Sequence, residues 1–284
     1  MYKITFFLFL SILSFGQDNL LFQQKEVSNF EEVDGFTYHN NKLFTGERTQ
    51  LKEDGLKLKS TYSDGLKNGV EILLNYNNDI KYSSNYVNGK LEGLFRGYYE
   101  NGNIQTTINF NDDKENGVYI DYHKNGNIQK KVRYIDGMKE GEEISYYKNG
   151  KVLSKGNFTN GKENGEFTGY YKNGKVFSLS KFVNGKNDGL VVGYYKNGKV
   201  QFKSNYENGL RNGDYLIYRK NGNLFLKTPY KNGIIDGEYI VYFNNEKIKI
   251  KRVYENGVLV ERVRYKKNGK LKPYSFEKRF SVEN

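Results

Sequence analysis

An aromatic residue recurs every 24 residues along most of this chain, and that periodicity limits what the chain can fold into. The aromatic column consists of Tyr62, Tyr86, Phe110, Tyr134, Phe158, Phe182, Tyr206, Tyr230 and Tyr254. Fixed self-similarity at such a period is typical of repeat proteins, in which each unit packs only on its neighbours. The chain is therefore predicted to form one elongated array.

Two further columns keep the same period. The glycine column consists of Gly69, Gly93, Gly117, Gly141, Gly165, Gly189, Gly213 and Gly237. The tyrosine ladder consists of Tyr98, Tyr122, Tyr146, Tyr170, Tyr194, Tyr218 and Tyr242. Each repeat therefore supplies one aromatic, one glycine and one tyrosine in fixed register.

Two turns punctuate each repeat. The tip turns place Asn-Gly at 101–102, 125–126, 149–150, 173–174, 197–198 and 221–222. The base turns place Asn-Gly or Asp-Gly at 88–89, 136–137, 160–161, 184–185, 208–209, 232–233 and 256–257. Asn-Gly favours the type I′ turn, whose twist matches that of paired strands. We therefore predict an all-β fold, an elongated single-layer antiparallel β-meander of 24-residue hairpin repeats.

The composition agrees with short strands joined by tight turns. The 284 residues include 31 glycines, 26 tyrosines and only two prolines. A mean hydropathy of −0.81 leaves little aliphatic material for a thick core. The chain has no cysteine, which excludes disulfides, thiol nucleophiles and cysteine metal sites.

The unit from Gly141 to Phe158 shows how the strands should pair. A two-residue tip turn places these pairs on one face: Tyr147 with Val152, Ser145 with Ser154, Glu143 with Gly156, and Gly141 with Phe158. Repeated through the array, this first face also collects Tyr99, Tyr171, Tyr195, Phe95, Tyr119, Phe167, Tyr215, Tyr239, Ile104, Ile128, Val176 and Val200. With the aromatic column added, we expect the first face to be the better buried. Each ring should cover the backbone that the opposite glycine leaves bare.

The second face holds the tyrosine ladder together with Ile144 and Leu153. Its flanking positions are polar or charged, namely Lys131, Lys155, Lys203, Lys227 and Lys251. One interpretation is that the second face is the solvent-exposed face that antiparallel sheets commonly have. The other is a binding stripe, since tyrosine combines apolar area with a hydroxyl at low entropic cost. On either interpretation, alanine changes in the ladder should disturb folding less than changes in the aromatic column.

The chain is basic, with a formal net charge of +12. Much of this charge flanks the tip turns, at Lys148, Lys151, Lys172, Lys175, Lys196 and Lys199. One interpretation is that these lysines form a row of positive charge that binds an anionic partner, such as an acidic protein, a lipid head group or a polysaccharide. They equally fit a role in solvating turns and blocking edge aggregation. Nucleic acid is the least expected partner, because no recognition motif or arginine-rich segment is present.

Catalytic and metal-binding signatures are weak. His123 occupies the position that Tyr99 and Tyr147 hold in other repeats, so it is interpreted as an aromatic substitute. Asp112 and Asp113 replace Asn-Gly in one base turn without the spacing of a calcium loop. No nucleophile elbow, phosphate loop or paired-carboxylate cleft is found. We predict a non-enzyme without cofactor or metal.

The first residues differ in kind from the array. Lys3 precedes an apolar run from Phe6 to Phe15, and Ser14 and Gly16 suit a cleavage site before Gln17. The run is half the roughly 20 apolar residues that span a bilayer, so we predict a secretory signal. An uncleaved anchor or a buried strand are the alternatives. The predicted organisation is a signal at 1–16, a polar lead-in at 17–33, the array at 34–272 and a tail at 273–284, with the product in the periplasm, outer envelope or medium.

The repeat resembles a known family. The stretch Gly141-Glu-Glu-Ile-Ser-Tyr-Tyr-Lys-Asn-Gly-Lys-Val-Leu, followed by Phe158-Thr-Asn-Gly-Lys-Glu-Asn-Gly165, is similar to the MORN-variant repeat of bacterial antitoxin components of the YwqK type. Asp34-Gly-Phe-Thr-Tyr-His and Leu43-Phe-Thr-Gly46 resemble the first unit of those proteins. The resemblance implies a β-sheet ribbon that acts by binding.

Three functional hypotheses follow. The first is an exported, non-catalytic protein that binds a protein partner along the ribbon, with toxin neutralisation as the version implied by the resemblance. The second is a cell-envelope adaptor that holds anionic lipid or polysaccharide through its lysine edge. The third is an enzyme, which would require a pocket around His123 or the Asp112 and Asp113 pair.

Overall fold

The computed structural model describes residues 29–52 and 54–272, and every regular element within them is a β-strand. The strands are β1 Phe30–Val33, β2 Phe36–His39, β3 Lys42–Leu43, β4 Gly46–Leu51, β5 Lys57–Ser63, β6 Leu66–Leu74, β7 Ile80–Val87, β8 Lys90–Leu91, β9 Gly93–Tyr98, β10 Ile104–Asn111, β11 Lys114–Glu115, β12 Gly117–Tyr122, β13 Ile128–Ile135, β14 Met138–Tyr146, β15 Val152–Thr159, β16 Lys162–Glu163, β17 Gly165–Tyr170, β18 Val176–Val183, β19 Lys186–Asn187, β20 Gly189–Tyr194, β21 Val200–Glu207, β22 Leu210–Arg211, β23 Gly213–Tyr218, β24 Leu224–Lys231, β25 Ile234–Ile235, β26 Gly237–Tyr242, β27 Ile248–Glu255 and β28 Val258–Arg264.

Two sheets contain these strands. β1 to β3 form a small sheet, so pairing begins within the predicted lead-in. β4 to β28 form a 25-stranded antiparallel sheet whose spatial order follows the chain. Within the described residues β4 pairs only with β5 and β28 only with β27, so the sheet is open. This confirms the predicted hairpin meander. No helix in residues 29–52 or 54–272 could cross a membrane. The predicted signal and tail lie outside the described residues.

The base turns adopt the predicted type I′ geometry, but the tip turns do not. Asn160 and Gly161 both have positive φ, at 49° and 76°. At the tip only Gly150 does, at 79°. Asn149 Oδ1 instead accepts a hydrogen bond from the amide of Lys151, 3.2 Å away. This side-chain bond favours a type I turn with glycine in the left-handed position, and the two-residue tip turn was therefore wrong.

This tip geometry introduces a β-bulge, which exchanges the faces of two neighbouring positions. The position of Val152 moves to the second face, and the position of Leu153 moves to the first face. Ser145 pairs with Ser154 as predicted, but the next pair is Tyr146 with Val152, and Leu153 is skipped. The positions opposite the ladder are thus Ile104, Ile128, Val152, Val176 and Val200, which were wrongly assigned to the first face.

The skipped position belongs to the first face, not the second. Phe177, the counterpart of Leu153 in the next repeat, has its ring centroid 5.6 Å from that of Tyr171. Its Cζ lies 2.5 Å from where a Cβ on Gly169 would stand. A bulge places two successive side chains on one side, which a strict alternation cannot foresee.

The glycine column pairs with the aromatic column as predicted, for example Gly141 with Phe158. The predicted reason was wrong. A Cβ at Gly141 would meet no atom within 4 Å, and at Gly117 the nearest atoms belong to Asn109 rather than to a ring. Instead the column has positive φ, 79° at Gly141 and 122° at Gly117. Glycine is required because other residues adopt this backbone at a cost.

The first face holds most of the core. The most buried positions stand two residues before the aromatic column, and they include Ser60, Ser84, Ile108, Val132, Ser204 and Thr228, each at most 4% exposed. Aromatic contacts join neighbouring repeats on this face, such as Phe158 with Phe167 at 5.7 Å between centroids. The second face buries less, with Val192 at 6% and Ile240 at 8%. The predicted assignment of the better-buried face is confirmed.

Candidate functional site

The tyrosine ladder lies at the ends of successive strands on the second face. All seven tyrosines are half-buried. Each stands opposite an aliphatic residue, as Tyr146 stands opposite Val152 and Tyr218 opposite Leu224. From Tyr122 onward, the backbone carbonyl of each ladder tyrosine contacts a polar side chain of the preceding repeat at hydrogen-bond distance. The ladder hydroxyls make no hydrogen bond with any described residue.

The residue after each ladder tyrosine forms a column that joins the repeats, which we name the clamp column. Tyr147 donates a hydrogen bond from its hydroxyl to the carbonyl oxygen of Tyr170, 2.7 Å away in the next repeat. The same bond is made by Tyr99, Tyr171 and Tyr195 through hydroxyls, and by Arg219 through Nη2, at 2.6–2.7 Å. Sequence reasoning missed this role, although the Tyr-Tyr pairs at four of the tips were its visible signal.

His123 belongs to the clamp column. Its Nε2 lies 3.0 Å from the carbonyl oxygen of Tyr146, the position that a tyrosine hydroxyl takes in other repeats. A ring nitrogen that carries hydrogen can donate to that carbonyl. His123 therefore occupies the same position in its repeat as the clamp tyrosines, which agrees with its interpretation as an aromatic substitute.

The six predicted lysines are all exposed at the tips. The backbone of Lys148 is held by the preceding repeat, because Asn125 Nδ2 donates to its carbonyl oxygen at 3.0 Å. Lys172 Nζ lies 5.8 Å from the ring centroid of Tyr147 in the preceding repeat. The structure therefore brings the lysines and the tyrosine ladder to the same edge of the sheet.

A buried ion pair on the first face was not foreseen. Glu71 is 3% exposed, forms an ion pair with Lys67, and accepts hydrogen bonds from Ser60 Oγ at 2.8 Å and Tyr82 hydroxyl at 3.1 Å. Burial acts to raise the pKa of Glu71, but the bonds from Lys67 and Ser60 outweigh it and lower the pKa below the ordinary value. Glu71 is therefore ionised at neutral pH.

Cavities at two places on the sheet are lined by residues of the described ranges. One of about 330 Å³ lies on the first face near Glu71. The other, of about 510 Å³, lies at the C-terminal end and is lined by Lys249, Arg264, Lys266 and Lys272 with two aromatic rings. Neither is lined by His123, Asp112 or Asp113.

The aspartate pair forms a base turn. Asp112 and Asp113 have φ of 52° and 64°, the backbone that Asn-Gly takes elsewhere. Among residues 29–52 and 54–272, no group of three or more histidines and carboxylates could hold a metal ion.

Comparison with known proteins identifies the repeat. Seven segments match the family described as MORN repeat variant, at 91–112, 115–136, 139–160, 163–184, 187–208, 211–232 and 235–256. A search of curated proteins finds no significant match.

Two solved structures are similar at low identity. In the crystal structure of TcdB2-TccC3, the alignment covers 76% of this chain and 14% of that chain, with 15% identity and a TM-score of 0.19. In a Photorhabdus luminescens Tc holotoxin pore with a TccC3 mutation, it covers 82% and 14%, with 14% identity and a TM-score of 0.17. The chain thus spans only a small part of either.

Proposed function

The chain belongs to the MORN repeat variant family, and from that premise we propose that it is an exported, non-catalytic protein that binds a protein partner along its second face. The observation that supports this is the contrast between two adjacent tyrosine columns. The clamp column uses its hydroxyls to join repeats, whereas the ladder hydroxyls make no bond with described residues. The joining of repeats accounts for the hydroxyls of the clamp column, but it does not account for the hydroxyls of the ladder.

The ladder has the character of a protein interface. Tyrosine is enriched at interfaces because it offers a large rigid contact area together with a hydroxyl. The aliphatic residues opposite it add apolar surface, since Ile104 and Ile128 are each 36% exposed. The clamp bonds fix the ladder backbone before any partner arrives, which lowers the ordering cost of binding.

Toxin neutralisation is the specific version that we favour. Its support is the resemblance to antitoxin components, and the predicted signal implies a toxin met in the periplasm or at the cell surface. A single face that presents the same tyrosine in seven repeats could cover an extended segment of such a protein.

The test uses adjacent tyrosines as matched variants. Residues 17–284 would be immobilised and exposed to envelope and cytosolic fractions of the source cell at low and moderate salt. The triple variant Tyr146→Phe, Tyr170→Phe, Tyr194→Phe removes ladder hydroxyls only and should lose one dominant protein that wild type retains at both salts. The control Tyr147→Phe, Tyr171→Phe, Tyr195→Phe removes clamp hydroxyls and, where folded, should keep that protein. Equal retention by both variants would contradict the proposal.

A second candidate is an envelope adaptor that holds anionic lipid or polysaccharide. The observation favouring it is that all six tip lysines are exposed along one edge. Here the variant Lys148→Gln, Lys172→Gln, Lys196→Gln should lose binding to anionic vesicles, and wild-type binding should collapse at moderate salt. The ladder variant should then bind as wild type does.

A further inference from the structure

The first face repeats a local arrangement in which a cation lies over an aromatic ring. Lys67 Nζ lies 4.7 Å from the ring centroid of Tyr86 and forms the ion pair with Glu71. Three repeats later, Lys139 Nζ lies 4.6 Å from the ring centroid of Phe158 and 2.6 Å from Glu143 Oε2.

A third repeat keeps the cation without the carboxylate. Arg211 lies 5.4 Å from the ring centroid of Tyr230 and donates a hydrogen bond from Nε to the hydroxyl of Tyr206. Three repeats thus place their own cation at one equivalent position, which fits the known attraction between cations and aromatic faces.

The two repeats between Lys67 and Lys139 lack that cation. Leu91 and Glu115 occupy the position, and Phe95 and Tyr119 take the place of the carboxylates. The cavity of about 330 Å³ lies at these two repeats and is lined by all four of these residues. The chain therefore leaves an opening where neighbouring repeats place an ammonium group.

The walls of this cavity suit an organic cation. Tyr82 and Phe95 are stacked with centroids 5.7 Å apart, and Phe110 meets Phe95 edge-on at 6.3 Å. Glu115 stands directly across from Phe110 and forms no ion pair with a described residue. The rings supply negative faces and Glu115 supplies a carboxylate, the combination that encloses alkylammonium groups.

Ser84 is a second, independent indication of a ligand. It is 3% exposed, it lines the cavity, and its Oγ makes no well-formed hydrogen bond, although the Tyr86 hydroxyl lies close to it. Buried polar side chains are nearly always bonded, so an orphaned hydroxyl in a cavity wall points to a missing partner. A serine oxygen accepts hydrogen bonds, as an ammonium group requires.

We propose that this first-face cavity binds a small organic ammonium ion, with Glu115 as its counter-ion, Ser84 as a hydrogen-bond acceptor and Tyr82, Phe95 and Phe110 as its aromatic walls. The site is independent of the proposed function, which concerns the opposite face. Nearby charges are already balanced, since Glu71 pairs with Lys67, and Asp121 lies 3.7 Å from Lys130. The Lys130 ammonium also lies 5.1 Å from the ring centroid of Tyr119, so that ring already has a cation of the chain. Glu115 is therefore the charge left for the ligand.

The probe is n-butylammonium, titrated into residues 17–284 and followed by calorimetry and by broadening of the ligand's proton resonances. We expect saturable binding of n-butylammonium and at least about tenfold weaker binding of neutral n-butanol, which has similar size but no charge. Glu115→Gln keeps the shape and should weaken n-butylammonium about tenfold or more. Leu91→Lys puts an ammonium group of the chain itself at the repeat position that Lys67 and Lys139 occupy. Because that group would fill the cavity, the variant should no longer bind n-butylammonium.

The control is Glu163→Gln, which changes the same repeat position outside the cavity and should leave the affinity unchanged. Circular dichroism and a melting curve establish that each variant is folded. No saturable binding, equal binding of n-butanol, or equal weakening by Glu115→Gln and Glu163→Gln would each overturn the site. A Leu91→Lys protein that folds and still binds n-butylammonium would do the same.

Discussion

The hydroxyl of Tyr147 donates a hydrogen bond to the carbonyl oxygen of Tyr170, 2.7 Å away and in the following repeat. This bond spans the boundary between two units, and Tyr99, Tyr171 and Tyr195 repeat it along the array. Units in a repeat protein are stabilised by their neighbours, so a bond of this kind contributes to the cooperativity of the whole sheet.

We expect Tyr147→Phe to lower the free energy of unfolding by about 1 kcal/mol, because it removes the donor and leaves the carbonyl of Tyr170 without it. Tyr146→Phe should change it by less than about 0.5 kcal/mol, because the Tyr146 hydroxyl bonds no described residue. Urea denaturation of the two variants measures both values. Equal losses would show that the two columns do not differ in role.

Phe158→Ala should destabilise the protein by about 3 kcal/mol, and Tyr146→Ala by about 1 kcal/mol. Phe158 is 9% exposed and contacts the ring of Phe167, whereas Tyr146 is half-buried on the other face. Melting temperatures of the two variants provide the comparison. A larger loss for Tyr146→Ala would mean that the second face holds the stabilising core.

Gly141→Ala should cost about 1–2 kcal/mol. The position has open space for a methyl group but a φ of 79°, so the cost comes from the backbone alone. Gly141→Asn should cost less, since asparagine tolerates the left-handed region better than alanine. If alanine and asparagine were equally harmful in chemical denaturation, crowding would have to replace backbone strain as the explanation.

The pKa of Glu71 makes stability depend on pH in the acid range. Because the folded-state pKa lies below the ordinary value of 4.5, ionised Glu71 stabilises the protein fully above that value. The contribution is lost as pH falls through the folded-state pKa. We expect the free energy of unfolding to fall less steeply between about pH 5 and pH 2 in Glu71→Gln than in wild type. Parallel curves would contradict this.

The pKa of Tyr119 reports on the first-face cavity. Burial, together with the hydrogen bond that its hydroxyl donates to Asp121 at 2.6 Å, raises this pKa to about 12. Asp121→Asn removes the charged acceptor, so the Tyr119 pKa should fall toward its ordinary value. Ultraviolet titration of Asp121→Asn against wild type would show one tyrosine ionising at lower pH. An unchanged titration would mean that burial alone sets the pKa.

The sequence by itself determined the repeat, the antiparallel hairpin meander and the pairing of Gly141 with Phe158. These follow from a strict 24-residue period and from turn residues at fixed positions, which are local properties of the chain. The base turns were predictable for the same reason, because Asn-Gly favours positive φ at both central residues.

Only the tertiary structure decided which tyrosine column joins the repeats and where the cavity lies. The bulge after Tyr146 shifts Val152 to the ladder's face, and alternation along a strand cannot reveal such a shift. The clamp bond connects residues 23 positions apart, and the pair of Lys67 with Glu71 depends on three strands meeting on one face. Contacts between repeats are set by how the strands of neighbouring repeats pack, which the residue pattern of a single repeat does not reveal.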